Sequence, residues 1–369
     1  GDVDAAVPAC VNQEFGKNWA LYEGDSCEVI KGIPDNSIHF GIHSPPFANL
    51  YIYSASMRDM GNCKDMDEFI DHYRYLIREM LRVTIPGRLC AVHCKDLPKY
   101  ANRDDTAGLI DFPGAIIAAY VAEGWSFHSR VTIWKCPVTE RERTNNNGLL
   151  HKTIRRDSSQ VRQGMADYLL VFRKIPSDGL MSDVPVERPN GIADGYIGEG
   201  HPLDSSYHPS PFARKTSALD RELLKQPDEV VEKVNRLVRH FGPDFEREWK
   251  DVPAEVQVAL SIDIWRRYAE PVWWDIDQTD VLNFELAKGA NDERHICPLQ
   301  ICLIRRAIQL WSLPGEVVFT PFAGVGSELV GALKEKRRGI GIELHPGYFR
   351  HAISELNKVE EASRQKTLF

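Results

Sequence analysis

Residues 317–343 constrain the fold more than any other stretch of this chain. Val317-Val318-Phe319 is a short apolar run, Thr320-Pro321-Phe322-Ala323-Gly324-Val325-Gly326-Ser327 is a glycine loop, Glu328 to Glu335 has helical character, and Arg338-Gly339-Ile340-Gly341-Ile342 ends on Glu343. Strand, loop, helix, strand and acid together make a βαβ unit, and hence an α/β sheet flanked by helices. Gly324 and Gly326 let the backbone approach a ligand closely at a helix N-terminus, and an acid ending the next strand can accept hydrogen bonds from both hydroxyls of a ribose. Many such turns carry glycine for packing alone. Glu343 at this distance is what turns the loop toward a nucleoside-bearing ligand.

A second feature lies far upstream, after the strand-like run Ser37-Ile38-His39-Phe40-Gly41-Ile42-His43. There Ser44-Pro45-Pro46-Phe47 sets two prolines in a row, each with φ held near roughly -65° and without an N–H, so the loop presents carbonyl oxygens with no competing donors. Acceptors held rigidly beside an aromatic ring suit a planar group bearing an amine. On its own the tetrapeptide reads as a proline-stiffened turn. The glycine loop downstream shifts that balance.

Together the two motifs resemble the S-adenosylmethionine-dependent DNA methyltransferases that modify exocyclic amino groups, cytosine N4 or adenine N6. Their order, catalytic tetrapeptide first and cofactor loop near the C-terminus, matches the family's permuted β group. Further matches are Leu21-Tyr22-Glu23-Gly24-Asp25, Val131-Thr132-Ile133-Trp134-Lys135, Asp167 to Phe172, and Arg294-His295-Ile296-Cys297-Pro298-Leu299 before an apolar helix at Leu303–Trp311. The resemblance implies a Rossmann-like methyltransferase sheet with circularly permuted motifs and an inserted, mainly helical target-recognition region. It implies a catalytic half over residues 1–175, recognition over 176–290 and a cofactor half over 291–369. By the same carry-over Ser44, Pro45, Pro46 and Phe47 are catalytic. Asp25, His295, Pro298, Thr320, Pro321, Phe322, Gly324, Gly326 and Glu343 hold S-adenosylmethionine, and Trp134 and Lys135 wall the pocket for the flipped base. Serine in the first position of the tetrapeptide tilts the choice toward cytosine N4. Two departures stand out: Thr320 replaces the family's usual Asp, and Cys297 its usual Lys. A hydroxyl still accepts a hydrogen bond but brings no charge. An adenine-N6 enzyme of low sequence specificity and a catalytically weakened DNA-binding protein on the same fold are the alternatives.

Composition narrows the rest. The chain has 369 residues, 43 % hydrophobic and 27 % charged, and a net charge of -8, the profile of an ordinary soluble protein of about two domains. No apolar run is long enough to span a bilayer and no leader-like segment opens the chain, so a cytoplasmic protein is expected, nucleoid-associated if prokaryotic or phage-encoded, and a monomer or homodimer. Charge is uneven: residues 130–174 hold ten basic and four acidic side chains, a net of +6 against the acidic remainder. Within it, Thr139 to Gln163 is polar and lacks apolar periodicity, which predicts a flexible loop whose Arg141, Arg143, Lys152, Arg155, Arg156 and Arg162 meet the phosphates of double-stranded DNA. The eight cysteines form no Cys-x-x-Cys pair. In Cys90-Ala91-Val92-His93-Cys94 a period of two turns His93 away from both thiols, so no metal is expected. No Pro-Cys dipeptide occurs, which argues against cytosine-C5 chemistry and its cysteine nucleophile. Between these regions, Pro176 to Pro211 reads as irregular, and apolar spacing predicts helices over Leu219–Phe241 and Val256–Tyr268, with Trp249, Trp265, Trp273 and Trp274 read as core more readily than as base-stacking.

Overall fold

The computed structural model describes residues 10–46, 66–99, 106–143, 161–176, 217–239, 245–283 and 298–366, with scattered positions between 149 and 159. The chain divides into two compact units, one of residues 1–130, 135–184 and 278–369, the other of 131–134 and 185–277.

The larger unit is built on one sheet. Its strands are β1 (Cys10–Phe15), β2 (Trp19–Gly24), β3 (Ile38–His43), β4 (Thr84–Cys94), β7 (Trp125–Ile133), β8 (Asp167–Lys174), β10 (Val317–Thr320) and β11 (Arg338–Glu343), in the spatial order β1-β2-β11-β10-β3-β4-β8-β7. A short antiparallel pair, β5 (Leu97–Lys99) with β6 (Gly108–Ile110), stands apart from it. From β2 to β4 all neighbours are parallel, while β1 on β2 and β8 on β4 are antiparallel. The βαβ unit read from the sequence is therefore at the middle of the sheet, and β10, late in the chain, lies between β11 and the early strand β3. A crevice at the carboxyl ends of parallel strands, where the winding direction changes, is the usual ligand site in such sheets.

Helices cover both faces for reasons written in their spacing. In Met66–Val83 the buried residues are Phe69, Tyr73, Leu76, Ile77, Met80 and Val83, an apolar stripe at three- and four-residue steps. This stripe shares a core with Ile116 and Tyr120 of the Phe112–Ala122 helix and with Val317 and Phe319 of β10. That second helix starts on Asp111, whose carboxylate accepts the Gly114 N–H at 2.7 Å. Gly41 faces Met80 and Cys90, so its neighbour Phe40 points to the other face, where it meets Trp311 of the Ile301–Trp311 helix at a ring separation of 5.8 Å. Gly341 admits the next layer: a Cβ there would lie 2.8 Å from Leu329 in the helix that follows β10.

In the smaller unit, Leu223, Val234, Leu237, Val252 and Val256 form a helical core. The predicted helix from Leu219 to Phe241 is broken in two, Ala218–Leu223 and Asp228–Arg239. Pro227 has no N–H to continue the first helix but suits the entry to the second, and Leu224, which the periodicity had placed in the core, is 87 % exposed. Val256–Tyr268 lies within one helix, Ala254–Ala269. Asp263 on that helix accepts the N–H groups of Ala218 and Leu219 and the Ser217 hydroxyl. Strand β9 (Val272–Trp273) pairs in parallel with Thr132 and Ile133. Trp273 is buried, as expected, whereas Trp265 is 64 % exposed. A further departure comes at the basic stretch: Pro137–Arg143 is a short helix rather than loop, with proline at its first position where a missing N–H costs nothing.

Candidate active site

The glycine loop leaves the carboxyl end of β10, whose four residues are all buried. Gly326 caps the Ser327–Lys334 helix at φ 93°, a left-handed conformation that costs an L-residue about 1–2 kcal/mol, and a Cβ there would come within 3.1 Å of Ala352. Gly324 is also left-handed, at φ 53°, but a Cβ on it would meet nothing within 4 Å. The loop is thus packed tightly behind Gly326 and open beside Gly324. Glu343 braces it: one carboxylate oxygen accepts the Gly324 N–H at 2.6 Å and the other the His345 N–H at 2.7 Å. Each oxygen keeps a lone pair for a further donor. The Thr320 hydroxyl accepts the Phe322 N–H at 3.4 Å. From β2, Asp25 caps the Ser26–Val29 helix by accepting the Cys27 N–H, and the next residue, Ser26, donates to the Pro321 carbonyl.

Two groups in the first turn of the Ser327–Lys334 helix escaped the sequence reading. Ser327 Oγ is buried and has no hydrogen-bond partner. Glu328 is fully buried, and burial pushes its carboxyl up to about 8, with the charge of Glu343 adding to the rise and its own N–H opposing it. An open glycine cradle, an unpartnered hydroxyl and an acid on the adjacent strand fit the nucleoside end of a cofactor.

The proline loop is next door. β3 runs parallel to β10 with Val318 opposite Phe40 and Phe319 opposite Gly41, so Ser44 and Pro321 begin adjacent loops at the same end of the sheet. Between them, the His43 ring lies 5.8 Å from the Phe322 ring, and His43 Nε2 is 2.6 Å from the Tyr73 hydroxyl. Burial pushes His43 down to about 3, so it is neutral and serves the packing. Ser44 Oγ lies 3.3 Å from His93 Nδ1 and donates to the His93 carbonyl at 3.3 Å. His93 Nε2 is 2.9 Å from Asp167 Oδ2, and Lys135 Nζ is 2.8 Å from the same oxygen. Burial alone would raise Asp167, but the hydrogen bond and charge of His93 and the charges of Lys135 and Lys95 outweigh it and hold the carboxyl well below its usual range.

Of the residues singled out in the sequence, Ser44, Pro45, Pro46, Asp25, Thr320, Pro321, Phe322, Gly324, Gly326 and Glu343 lie on β2, β3, β10 and β11 or the loops at their carboxyl ends. Pro298 is buried just before the Ile301–Trp311 helix. Lys135, expected in the base pocket, spends its charge on Asp167. Trp134 is 40 % exposed past the end of β7, its backbone N–H donating to the Trp273 carbonyl. Arg155 is exposed and Arg162 half-buried. Phe47, His295, Lys152 and Arg156, and the side chains of Arg141 and Arg143, lie outside the described residues. Among the described residues no group of three or more His, Cys, Asp or Glu is placed to hold a metal, and no helix is long and apolar enough to cross a membrane. His93 and Asp167 were missed as site residues. The alternation of Cys90, Val92 and Cys94 into the core did signal that His93 faces elsewhere.

Fold and site define a doubly wound α/β protein with a nucleoside-cofactor loop beside a rigid acceptor loop. The DNA methylase family model covering N6 and N4 methyltransferases matches residues 38–354, and the chain belongs to that family. Among curated proteins it is similar to YubD of Escherichia coli (strain K12), described as a methylase, with 35 % identity over 86 residues, 23 % of this chain and 37 % of that protein. It is also similar to the type II methyltransferase M.SfiI of Streptomyces fimbriatus, with 25 % identity over 135 residues, 33 % of this chain and 31 % of that protein. The chain thus spans about a third of the length of these relatives. Among solved structures, the cytosine-N4-specific PvuII DNA methyltransferase aligns over 94 % of this chain and 91 % of its own at 14 % identity, TM-score 0.50. The DNA modification methylase TTHA0409 of Thermus thermophilus, complexed with S-adenosyl-L-methionine, aligns over 93 % of this chain and 95 % of its own at 18 % identity, TM-score 0.50. These two likenesses concern the fold.

Proposed function

We propose that this chain methylates an exocyclic amino group of a base in duplex DNA, using S-adenosylmethionine, with cytosine N4 as the target. The observation that carries the reading is the parallel pairing of β10 with β3, by which the glycine loop and Ser44-Pro45-Pro46 open side by side. Membership of the family supports the reaction class, and the position of late strand β10 beside early strand β3 supports a permuted motif order.

Gly324, Gly326, Ser327 and Glu343 hold the nucleoside end of the cofactor, which when bound supplies an electrophilic methyl group on a sulfonium. The chain's own work is to make a poor nucleophile react. An aromatic amine delocalises its lone pair into the ring, and positioning carries most of the acceleration. Ser44 Oγ and the Pro45 carbonyl accept hydrogen bonds from the amino group and draw electron density onto nitrogen, while Phe47 stacks on the base. The nucleotide leaves the duplex stack to reach them, at roughly a few kcal/mol. Arg155 and Arg162, with the other bases of residues 141–162, neutralise phosphates, and the smaller helical unit reads the target.

The test is to incubate unmethylated plasmid with the protein and labelled cofactor, digest to nucleosides and identify the product by mass spectrometry. N4-methylcytosine is expected. N6-methyladenine would overturn the choice of base, and an unmodified plasmid together with no calorimetric binding of S-adenosylmethionine would overturn the reading itself.

A further inference from the structure

We propose that His93 is a positioning residue and proton acceptor acting through Ser44, so that the chain Ser44, His93, Asp167 takes up the proton the target amino group must lose. The inference rests on the amino-methylation reading of this site. After methyl transfer the substituted nitrogen carries a positive charge. One N–H bond then breaks, its electron pair returns to nitrogen, and the proton passes to Ser44 Oγ as the Ser44 hydroxyl proton moves to His93 Nδ1. The positive charge ends on an imidazolium whose other nitrogen faces the Asp167 carboxylate.

Three strands assemble this chain, and their registers leave little freedom. His43 pairs with Val92 across β3 and β4, so the next residues, Ser44 and His93, meet. Cys94 pairs with Tyr168 across β4 and β8, which sets Asp167 beside His93 from the other side. Lys135, just past β7, anchors the same Asp167 oxygen, and Lys95 adds positive charge from the end of β4. These are the charged groups facing the imidazole: one anion in contact, and two cations that act on that anion. A buried ion pair between Asp167 and Lys135 would be complete without His93. Instead the carboxylate fixes one imidazole nitrogen and leaves the other aimed at Ser44.

The Ser44 hydroxyl has two acceptors at equal distance, His93 Nδ1 and the His93 carbonyl, both 3.3 Å away. With His93 neutral and its proton on Nε2 toward Asp167, Nδ1 accepts the hydroxyl. With His93 protonated, Nδ1–H donates to Ser44 Oγ and the hydroxyl turns to the carbonyl. Both states are fully hydrogen-bonded in one arrangement of heavy atoms. A proton can therefore arrive without any movement of the frame.

The experiment combines imidazole nitrogen NMR of the full chain with single-turnover methylation of a DNA duplex across pH. The free protein should show His93 as the Nε2–H tautomer, titrating at a midpoint that falls in Asp167→Asn, where the anion is lost. The wild-type rate should fall on the acid side at the His93 midpoint measured in the complex. His93→Gln should lose that acid limb and slow the reaction by about 100-fold or more, with cofactor and DNA affinities unchanged. Should His93→Gln fail to fold, the NMR tautomer and the coincidence of midpoint and acid limb in the wild type still decide. An Nδ1–H tautomer, an acid limb that ignores the His93 midpoint, or a His93→Gln variant as fast as wild type overturns the relay while leaving methylation standing. A wild-type protein that methylates nothing overturns the functional reading, and the relay with it.

Discussion

Glu328→Gln should stabilise the larger unit at neutral and alkaline pH and leave it nearly unchanged in acid. The carboxyl is fully buried at the start of the helix after the glycine loop, and burial first, then Glu343, lifts it from an ordinary 4.5 to about 8. In the unfolded chain it loses its proton near the ordinary value, while the folded chain keeps it. Between pH 4.5 and 8 the unfolded state therefore binds fewer protons than the folded state, and stability falls as pH rises. At about 1.4 kcal/mol for each pH interval of one, the penalty reaches roughly 5 kcal/mol above pH 8 and roughly 3 at pH 7. Glutamine has nearly the same volume, can keep the hydrogen bond to the backbone N–H and carries no such penalty. Urea unfolding of wild type and variant at pH 5, 7 and 9, compared as a difference, cancels every other titrating group. The variant should gain several kcal/mol on the wild type between pH 5 and pH 9. Two curves that stay parallel within about 1 kcal/mol would refute the assignment of a protonated Glu328.

Gly326→Ala forces a left-handed φ on an L-residue and drives a methyl toward Ala352, so it should cost about 2 kcal/mol in unfolding experiments and weaken S-adenosylmethionine binding measured by calorimetry. Asp263→Ala removes the acceptor for two N–H groups and a hydroxyl at the start of the Ala218–Leu223 helix. A loss of about 1–2 kcal/mol is expected, read as faster hydrogen exchange in that helix with the sheet unaffected. Burial pushes the Cys27 and Cys90 thiols from 9.0 up to about 12, so at pH 8 each holds roughly a thousandfold less thiolate than an ordinary cysteine, and mass spectrometry after brief alkylation of native protein should find both unmodified.

The parts of the fold legible in the sequence were those whose signal is local. Residues 317–343 announce strand, loop, helix and strand through composition alone, and the structure has β10, the Ser327–Lys334 helix and β11 there. Ser37 to His43 and Asp167 to Phe172 were equally plain as apolar runs and became β3 and β8. β1 was not legible: Cys10–Phe15 is largely exposed, and its extended form comes from pairing with β2, not from its own pattern. β9 is two residues long, too short for any periodicity. The helix break at Pro227 was available but outweighed by apolar spacing that runs through it. In each case the missing information was a partner elsewhere in the chain, or a single residue whose backbone chemistry overrides a pattern summed over many.

The site divides along the same line, and the division bears on how specific it is. Ser44-Pro45-Pro46 and the glycine loop can be read because each does its work within a few residues. The Ser44, His93, Asp167 chain cannot, because its members are 49 and 74 residues apart and no one of them is unusual where it stands. What joins them is register. Side chains alternate across a sheet with a period of two, so a slip of one residue between β4 and β8 would replace Asp167 by Tyr168 beside His93, and a slip between β3 and β4 would replace His93 by Val92 or Cys94 beside Ser44. Those registers are held by the cores on either face, where Cys90, Val92 and Cys94 alternate with His93. The apolar packing of β4 is therefore what aims its one polar side chain. A core substitution on that strand, far from any ligand, should disturb the acid limb of the reaction before it disturbs cofactor binding.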